Sequence, residues 1–554
     1  MKAILKLFLI IIPFISLFCK KDDDIIDPPV AKTFQINKIE IDSASNLFIF
    51  KNVNYNPTIK LHCSNQVSIN DTLTTNISLK NQIGEAVQLQ FSLTDGDSTL
   101  IIKCASELQA FAKYFLKINS NIRSIENYPL NSIYNYELTT KIDPTPKFPL
   151  ISDDALLTTV QRETFKYFWD FGHPTSGLAR ERNTSGNVCT TGGTGFAIQA
   201  IIVAIHRNFI SRNEGLQRIS AITNFYTNKA HKYHGAFAHW VDGASGATIP
   251  FSQYDNGGDL VETSYLMQGL LTAKEYFNSN SPEETQLCNA ITQLFNDVEW
   301  DWYTRQQNVL YWHWSENYGW QMNHQIQGWN EALITYIMAA ASTTHPIDST
   351  VYHHGWAKDG AIKNNNFFYG YQLPLGWDLG GPLFFEHYSF LGINPNGLKD
   401  TYADYEIQTK NHTYINYEYC KANPKHFFGY SQNCWGLTAS DTYDGYTAHE
   451  PNNDLGVISP TAALSSMPYT PTESMNTLKY FYYTLGDKTF KQYGFIDAFS
   501  LDRPWFADSF LAIDQGPIII MIENHRSQLI WNLLTQNSNV KNGLRKLGFT
   551  APYL

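Results

Sequence analysis

Near residue 150 the hydrophobic period of this chain changes from two to about 3.6, and that switch limits the fold more than any other feature. From about 32 to 145 the apolar residues alternate in short runs, Phe34-Gln-Ile36, Ile39-Glu-Ile41, Leu47-Phe-Ile-Phe50, Val87-Gln-Leu-Gln-Phe91 and Leu100-Ile-Ile102. Turn clusters such as Asp95-Gly-Asp-Ser98 separate them. Alternation of this length predicts half-buried strands, and their spacing predicts a small β-sandwich of immunoglobulin-like type over 32–145. It holds no cluster of catalytic residue types, so a spacer or packing module is expected. Asp143-Pro-Thr-Pro-Lys-Phe-Pro149 is the linker.

After Ile151 the apolar positions recur on a helical face, beginning with Leu156, Leu157, Val160, Thr164, Phe165 and Phe168. Helix starts are marked by Ser211-Arg-Asn-Glu214, Ser281-Pro-Glu-Glu284 and Thr470-Pro-Thr-Glu473, in which a hydroxyl can satisfy an orphan amide and a glutamate can reach back. About eleven helices are predicted between 155 and 547. Some are joined by a few residues. Others are joined by long aromatic loops, such as Phe237-Ala-His-Trp-Val-Asp-Gly243 and Val309-Leu-Tyr-Trp-His-Trp314. A ring of helical hairpins produces that alternation, with the long loops on one face. The expected fold is therefore mainly α: an (α/α)6 toroid over 151–554 behind the β-sandwich, with a pocket lined by loops and inner-helix starts.

The totals narrow the ligand. Aromatic residues make up 14% of the 554 and charged residues 16%, a balance that excludes a disordered chain and leaves aromatic surface for a flat, uncharged ligand. A formal net charge of −11 argues against nucleic acid, which demands concentrated Lys and Arg, and against a polyanionic polysaccharide. At the N-terminus, Met1-Lys-Ala-Ile-Leu-Lys6 precedes an apolar run, Leu7 to Phe18, that is short for a bilayer span and ends at Cys19. The segment 1–19 resembles a bacterial lipoprotein signal with Cys19 lipidated, and 20–31 reads as a tether. Its acidic run Asp22-Asp-Asp24 resembles the export signal of surface lipoproteins in Bacteroidetes-type bacteria. The expectation is an outer-membrane protein, surface-exposed or periplasmic, held to the membrane only by its lipid. None of the remaining cysteines forms a C-x-x-C pair; Cys63 and Cys104, in strand-like segments, are compatible with a disulfide or with free thiols.

The carboxylates gather between 251 and 331. Asp255, Asp259 and Glu262 fall in eight residues around Tyr254-Asp-Asn-Gly-Gly258, and Glu331 stands in Gly328-Trp-Asn-Glu331, in the expected first turn of the next inner helix. Asp259 and Glu262 have a capping role open to them, and Glu331 can favour a helix N-terminus. Three close carboxylates nevertheless repel one another, a costly way to cap and a direct way to raise one pKa. Glycoside cleavage needs two carboxyl roles, one to protonate the leaving oxygen and one to activate water or attack carbon. There is no H-E-x-x-H, P-loop or G-x-S-x-G sequence. His353-His354 and His231-Lys-Tyr-His234 are read as packing or capping groups, and Arg180-Glu-Arg182 as either a sugar contact or an ion-pair network.

Several ordered stretches carry a family resemblance: Glu163-Thr-Phe-Lys-Tyr-Phe-Trp-Asp-Phe171, Ser176-Gly-Leu-Ala-Arg-Glu-Arg182, Gly192-Gly-Thr-Gly195, Gly258-Asp-Leu-Val-Glu-Thr-Ser264, Asn323-His-Gln-Ile-Gln-Gly-Trp-Asn-Glu-Ala332, Gly381-Pro-Leu-Phe-Phe-Glu-His-Tyr-Ser389 and Ala512-Ile-Asp-Gln-Gly-Pro517. Over about 151 to 550 the chain resembles the bacterial glycoamylase domain of glycoside hydrolase family 144. The resemblance implies an (α/α)6 barrel, hydrolysis of β-1,2-glucan with inversion, endo- or exo-acting with release of sophorose, and no metal or cofactor. Glu331 then matches the general acid, and Asp255 and Asp259 match required acidic pocket residues with Glu262 beside them. Arg182, Gln325, Trp329, His387 and Trp435 are the candidate substrate contacts. A monomer acting on polysaccharide or oligosaccharide is expected. The rivals are a non-catalytic glycan-binding lipoprotein feeding an importer, which would bind without turnover, and a toroidal polysaccharide lyase, which would want an acidic sugar.

Overall fold

The computed structural model describes residues 32–279 and 281–554; the signal, Cys19 and the tether expected from the sequence lie outside the described residues. The chain divides into two compact units between Lys141 and Ile142.

The first unit is a sandwich of ten strands: β1 Ile36–Ile41, β2 Ala44–Ser45, β3 Ile49–Val53, β4 Thr58–Cys63, β5 Ile77–Asn81, β6 Ala86–Val87, β7 Leu89–Thr94, β8 Thr99–Cys104, β9 Lys113–Ile118 and β10 Tyr134–Thr140. They form two sheets ordered β2-β1-β4-β8-β7 and β3-β10-β9-β5-β6. Alternate residues, among them Ile39, Ile41, Ile59, Leu61, Leu79, Ile102, Leu116 and Leu138, point inward to a common core. Cys63 and Cys104 are free thiols. The antiparallel register of β4 and β8 pairs Thr58 with Lys103 and His62 with Thr99, so the two sulfurs sit at opposite ends of the strand pair.

The second unit is a helical toroid. Its inner helices, Thr191–His206, Leu260–Tyr276, Leu333–Ala341, Pro460–Leu464 and Ala512–Ser527, are buried on nearly every face, as their unbroken Ile, Leu and Ala content dictates. The outer helices Asp153–Trp169, Arg212–Asn228, Pro282–Asp297, Tyr405–Ala422 and Pro471–Lys479 bury one stripe each. Thr191–His206 packs between Leu260–Tyr276 and Ala512–Ser527, the former meets Leu333–Ala341, and the latter meets Pro460–Leu464. The remaining inner position holds two short 3-10 turns, Leu383–Glu386 and Ser389–Leu391, with Tyr405–Ala422 against the first, and the wide turn Val351–Trp356 packs on Leu333–Ala341 in the outer position before them. Six inner–outer pairs result.

Glycines set the tightest crossing. A Cβ on Gly195 would lie 2.1 Å from the Tyr265 carbonyl oxygen, and one on Gly269 would lie 2.2 Å from that of Gly195, so the two inner helices touch backbone to backbone. The Ser211 capping box forms as expected, and Ser281 caps the Glu284 amide. Thr470 does not cap its helix; its hydroxyl lies 3.1 Å from that of Ser474 instead.

Candidate active site

Short strand pairings bring the acids together. Gly258–Asp259 pairs antiparallel with His313–Trp314, and Asp259 also bridges to Phe237. Three distant loops therefore deliver His239, Asp255, Asp259, Trp312 and His313 to one place.

Asp259 divides its two oxygens. Oδ1 accepts the Glu262 amide at 2.9 Å, capping the helix, while Oδ2 accepts Trp312 Nε1 at 3.1 Å and lies 3.1 Å from His239 Nδ1. Glu262 does not reach back to complete a capping box. It turns to the neighbouring inner helix, where its Oε2 accepts the Gly192 amide at 2.7 Å and the Thr190 hydroxyl at 3.1 Å. A carboxylate from one helix thus caps the next, at the positive end of its dipole. Asp255 is the least satisfied of the three: its buried Oδ1 has no hydrogen-bond partner. His313 Nε2, 3.6 Å away, already accepts the Gly257 amide at 2.9 Å and so has no proton to give.

His239 is the counter-charge. Its Nδ1 lies 3.1 Å from Asp259 and 3.9 Å from Asp255, and its Nε2 lies 4.0 Å from Glu262. Burial alone would lower its pKa, but the carboxylates, Glu262 foremost, overcome this and lift it to about 9. Burial, then the Asp259 charge, pushes the Asp255 carboxyl up to about 7. His239 Nδ1 and one oxygen each from Asp255 and Asp259 lie within 4.8 Å of one another, a set able to take a cation; a protonated His239 supplies that positive charge itself.

Glu331 falls just before its helix rather than in the first turn, since the helix starts at Leu333. Its carbonyl accepts the hydroxyls of Ser389 at 2.5 Å and Tyr265 at 3.3 Å. Its carboxyl, bonded to its own amide, is pushed up to about 7 by burial and by the Asp259 and Glu262 charges. It borders a cavity of about 610 Å³ shared with Trp312, His324, Gln327, Asn330, Trp377, Phe384 and Phe385. Trp312 therefore has two duties: its indole N–H holds Asp259 and its ring walls the space beside Glu331.

The expected substrate contacts sort unevenly. Gln325 bonds to the Tyr311 hydroxyl at 2.8 Å and accepts Gln327 Nε2 at 2.9 Å. Trp329, 3% exposed, borders the cavity and gives its indole N–H to Glu386 at 2.8 Å, which fixes it as a wedge in the cavity wall. Trp435 is 0% exposed and packs edge-on against Tyr417. His387 is buried 3.0 Å from the Ser466 hydroxyl, with burial driving its pKa to about 3. Arg182 is committed to Glu181 and Asp441 at 3.0 and 3.1 Å. Burial of the two rings and ion pairing of the guanidinium set Trp435, His387 and Arg182 apart from the cavity.

Comparison with known proteins settles the family. The Glycoamylase family model, described as "Putative glucoamylase", matches residues 323–538, and a bacterial Ig-like domain model matches 43–140. An endo-β-1,2-glucanase from Chitinophaga pinensis, solved with sophorotriose and glucose, is 51% identical with a TM-score of 0.72, over 73% of this chain and 100% of that one. The chain belongs to glycoside hydrolase family 144. A β-1,2-glucanase structure from Parabacteroides distasonis is 35% identical with a TM-score of 0.70, over 90% of this chain and 72% of the other. A curated relative from the same organism, an exo β-1,2-glucooligosaccharide sophorohydrolase acting at the non-reducing end, is 43% identical over 420 residues, 72% of this chain. The match spans 58% of that relative's length.

This family 144 site contains groups that sequence reasoning passed over. His239 is a lone histidine in an aromatic loop, and nothing in its spacing announces three carboxylate neighbours. Trp377, 45% exposed and held by Glu450 at 2.8 Å, is the open aromatic that Trp329 and Trp435 were expected to be. A second acidic group also surrounds Asp514. Asp497 and Asp514 are hydrogen-bonded side chain to side chain and both are raised, by burial first, so the pair holds a proton between them. Tyr388 feels the charges of both Asp514 and Glu331.

Proposed function

We propose that this chain hydrolyses β-1,2-glucan, releasing sophorose or short β-1,2-glucooligosaccharides with inversion at the anomeric carbon. The observation that carries the reading is Glu331: a carboxyl kept protonated near neutral pH by burial, at the edge of an aromatic cavity, with an ionisable carboxylate cluster nearby. Trp312, Trp377, Phe384 and Phe385 offer ring faces to pyranose C–H groups, while Gln327 and Asn330 suit hydroxyls. Glu331 gives its proton to the glycosidic oxygen as that bond to the anomeric carbon breaks. Water adds from the opposite face and loses a proton to Asp255, whose unpartnered oxygen is free to accept it. Asp259, fixed by its cap and by Trp312, holds its charge beside that step, and His239 balances the cluster. An inverting pair works at a separation of about 6.5–9.5 Å, which leaves room for the water.

Incubation of the purified protein with linear β-1,2-glucan, followed by chromatography and proton NMR, tests this. Short β-1,2-linked products that appear first as the α-anomer are expected. Absence of any product across pH 4–9 from a folded protein overturns the reading. The lipid anchor belongs to the same proposal: Cys19 carries it, and Cys19→Ser is expected to shift the protein from the membrane to the soluble fraction.

A further inference from the structure

The segment Gly381-Pro-Leu-Phe-Phe-Glu-His-Tyr-Ser389 puts Phe384 and Phe385 on the cavity wall and reaches the Glu331 backbone through Ser389, and the proposed chemistry leaves its buried polar groups without a task. Glu386 lies within it and is fully buried. Its Oε1 is met by His412 Nδ1 at 2.7 Å, Trp329 Nε1 at 2.8 Å and Gln408 Nε2 at 2.9 Å. Two of these are N–H groups that can only donate, so no proton fits on that oxygen and His412 must donate as well. His412 Nε2 faces the Gly381 carbonyl oxygen at 3.0 Å, so the ring is clamped between the carboxyl group and the main chain. Gly380, at φ 95°, permits this: a Cβ there would lie 2.1 Å from the imidazole. Three residues on, Ser389 gives its hydroxyl to the Glu331 carbonyl at 2.5 Å and takes the Ile334 amide at 3.0 Å.

We infer that Glu386 and Ser389 are positioning residues for the proton donor: Glu386 fixes Trp329 on one side of Glu331, and Ser389 fixes the Glu331 backbone and the helix start on the other. The inference rests on the proposed role of Glu331. Trp329 is itself wedged among Trp356, Phe390 and Tyr405, and Gln408 relays the same carboxylate to the Leu375 amide at 2.9 Å, in the strand of backbone leading to Trp377. The acid and the aromatic wall it faces are thus held by one buried carboxyl group. A misplacement of about 1 Å at a reacting group is worth on the order of a hundredfold in rate, which is the scale such an anchor protects.

The test is a double-mutant cycle on the full chain with Trp329→Phe, Glu386→Gln and the pair, alongside Ser389→Ala and Ser389→Thr. Each is assayed for kcat and KM on β-1,2-glucan, for melting temperature, and for the 13C carboxyl titration of Glu331, assigned by difference against Glu331→Gln. Trp329→Phe keeps an aromatic ring in the wedge but loses the N–H and part of the ring volume packed against Trp356, Phe390 and Tyr405, so its kcat is read per folded molecule, and the cycle with Glu386→Gln isolates the N–H contact. Trp329→Phe and Glu386→Gln are each expected to lower kcat roughly ten- to a hundredfold with KM within about twofold. The pair should be no worse than Glu386→Gln alone, and the Glu331 titration midpoint should move in each. Ser389→Thr should recover most of what Ser389→Ala loses. Additive losses, or a lower melting temperature with kcat per folded molecule and the Glu331 midpoint unchanged, overturn the inference. If Glu386→Gln does not fold, Trp329→Phe and the Ser389 pair decide alone. The carboxyl titration needs no turnover, so an inactive wild type would count against the proposed reaction and still leave the positioning claim open to test.

Discussion

Glu331 borders the cavity and Glu386 is buried behind it, and the difference between the two glutamates lies in their donors. Glu386 has three nitrogen groups on a single oxygen, and that oxygen is occupied in holding other side chains. Glu331 has only its own amide, and burial pushes its carboxyl up to about 7. Burial with one weak partner keeps a proton available; burial with three donors converging on one oxygen makes a fixture. The same side chain serves chemistry in one place and architecture in the other because neighbouring side chains converge on only one of them.

The sharpest way to break this contrast is to neutralise each residue in turn. Glu331→Gln removes the donated proton, and kcat is expected to fall by about 10³-fold or more, within the general-acid range, with the fold intact by circular dichroism. Glu386→Ala should do the opposite, mainly unfolding the chain. It strands His412 and two further donors in the interior, at a cost of roughly 1–3 kcal/mol for each donor left unsatisfied, readable as a lower midpoint in urea.

The pH profile sharpens the contrast further. Glu331 must be protonated, so kcat/KM falls as pH rises through about 7; Asp255 must be ionised, so it also falls below about 7. A narrow bell centred near neutrality is expected. His239→Gln removes the positive charge that holds Asp255 down, so the acidic limb should move upward and the bell should narrow.

The smallest effect is on stability. Asp255 and Glu331 have folded-state pKa values above the ordinary ones, so the native state holds extra protons between about pH 4 and pH 7. Their contribution is fully present below the unfolded values and is lost as pH rises through about 7. Asp255→Asn and Glu331→Gln should therefore melt a few degrees above wild type at pH 8 and level with it at pH 4, as measured by scanning calorimetry.

Much of this was legible in the residues. The change of period gave the sandwich and the toroid, because burial on one face or on all faces leaves a direct trace in apolar spacing. The acids at 255, 259, 262 and 331 stood out because like charges crowded into a few positions need a reason. What was hidden depends on contacts far apart in the chain. His239 meets its carboxylates through the bridge between Phe237 and Asp259, twenty-two positions apart in the chain. Trp329 and Trp435 look like sugar platforms until packing closes over them, and Trp377 looks ordinary until Glu450 holds it open. Asp497 and Asp514 are seventeen positions apart, too distant for any local pattern to pair them.

The glycine crossing of Gly195 and Gly269 has a consequence for how such a protein can change. Because the Thr191 and Leu260 helices meet there without side chains between them, their spacing is set by main chain. The start of one carries Glu262 and the start of the other the Gly192 amide that Glu262 caps. A side chain at either glycine would part the helices and open that cap. His239, Asp255 and Asp259 are held differently, by loops pinned to one another at Gly258–Asp259, His313–Trp314 and Phe237. Change at the glycines is therefore felt by the acids, whereas change in a loop is tolerated only where it leaves those pairings whole.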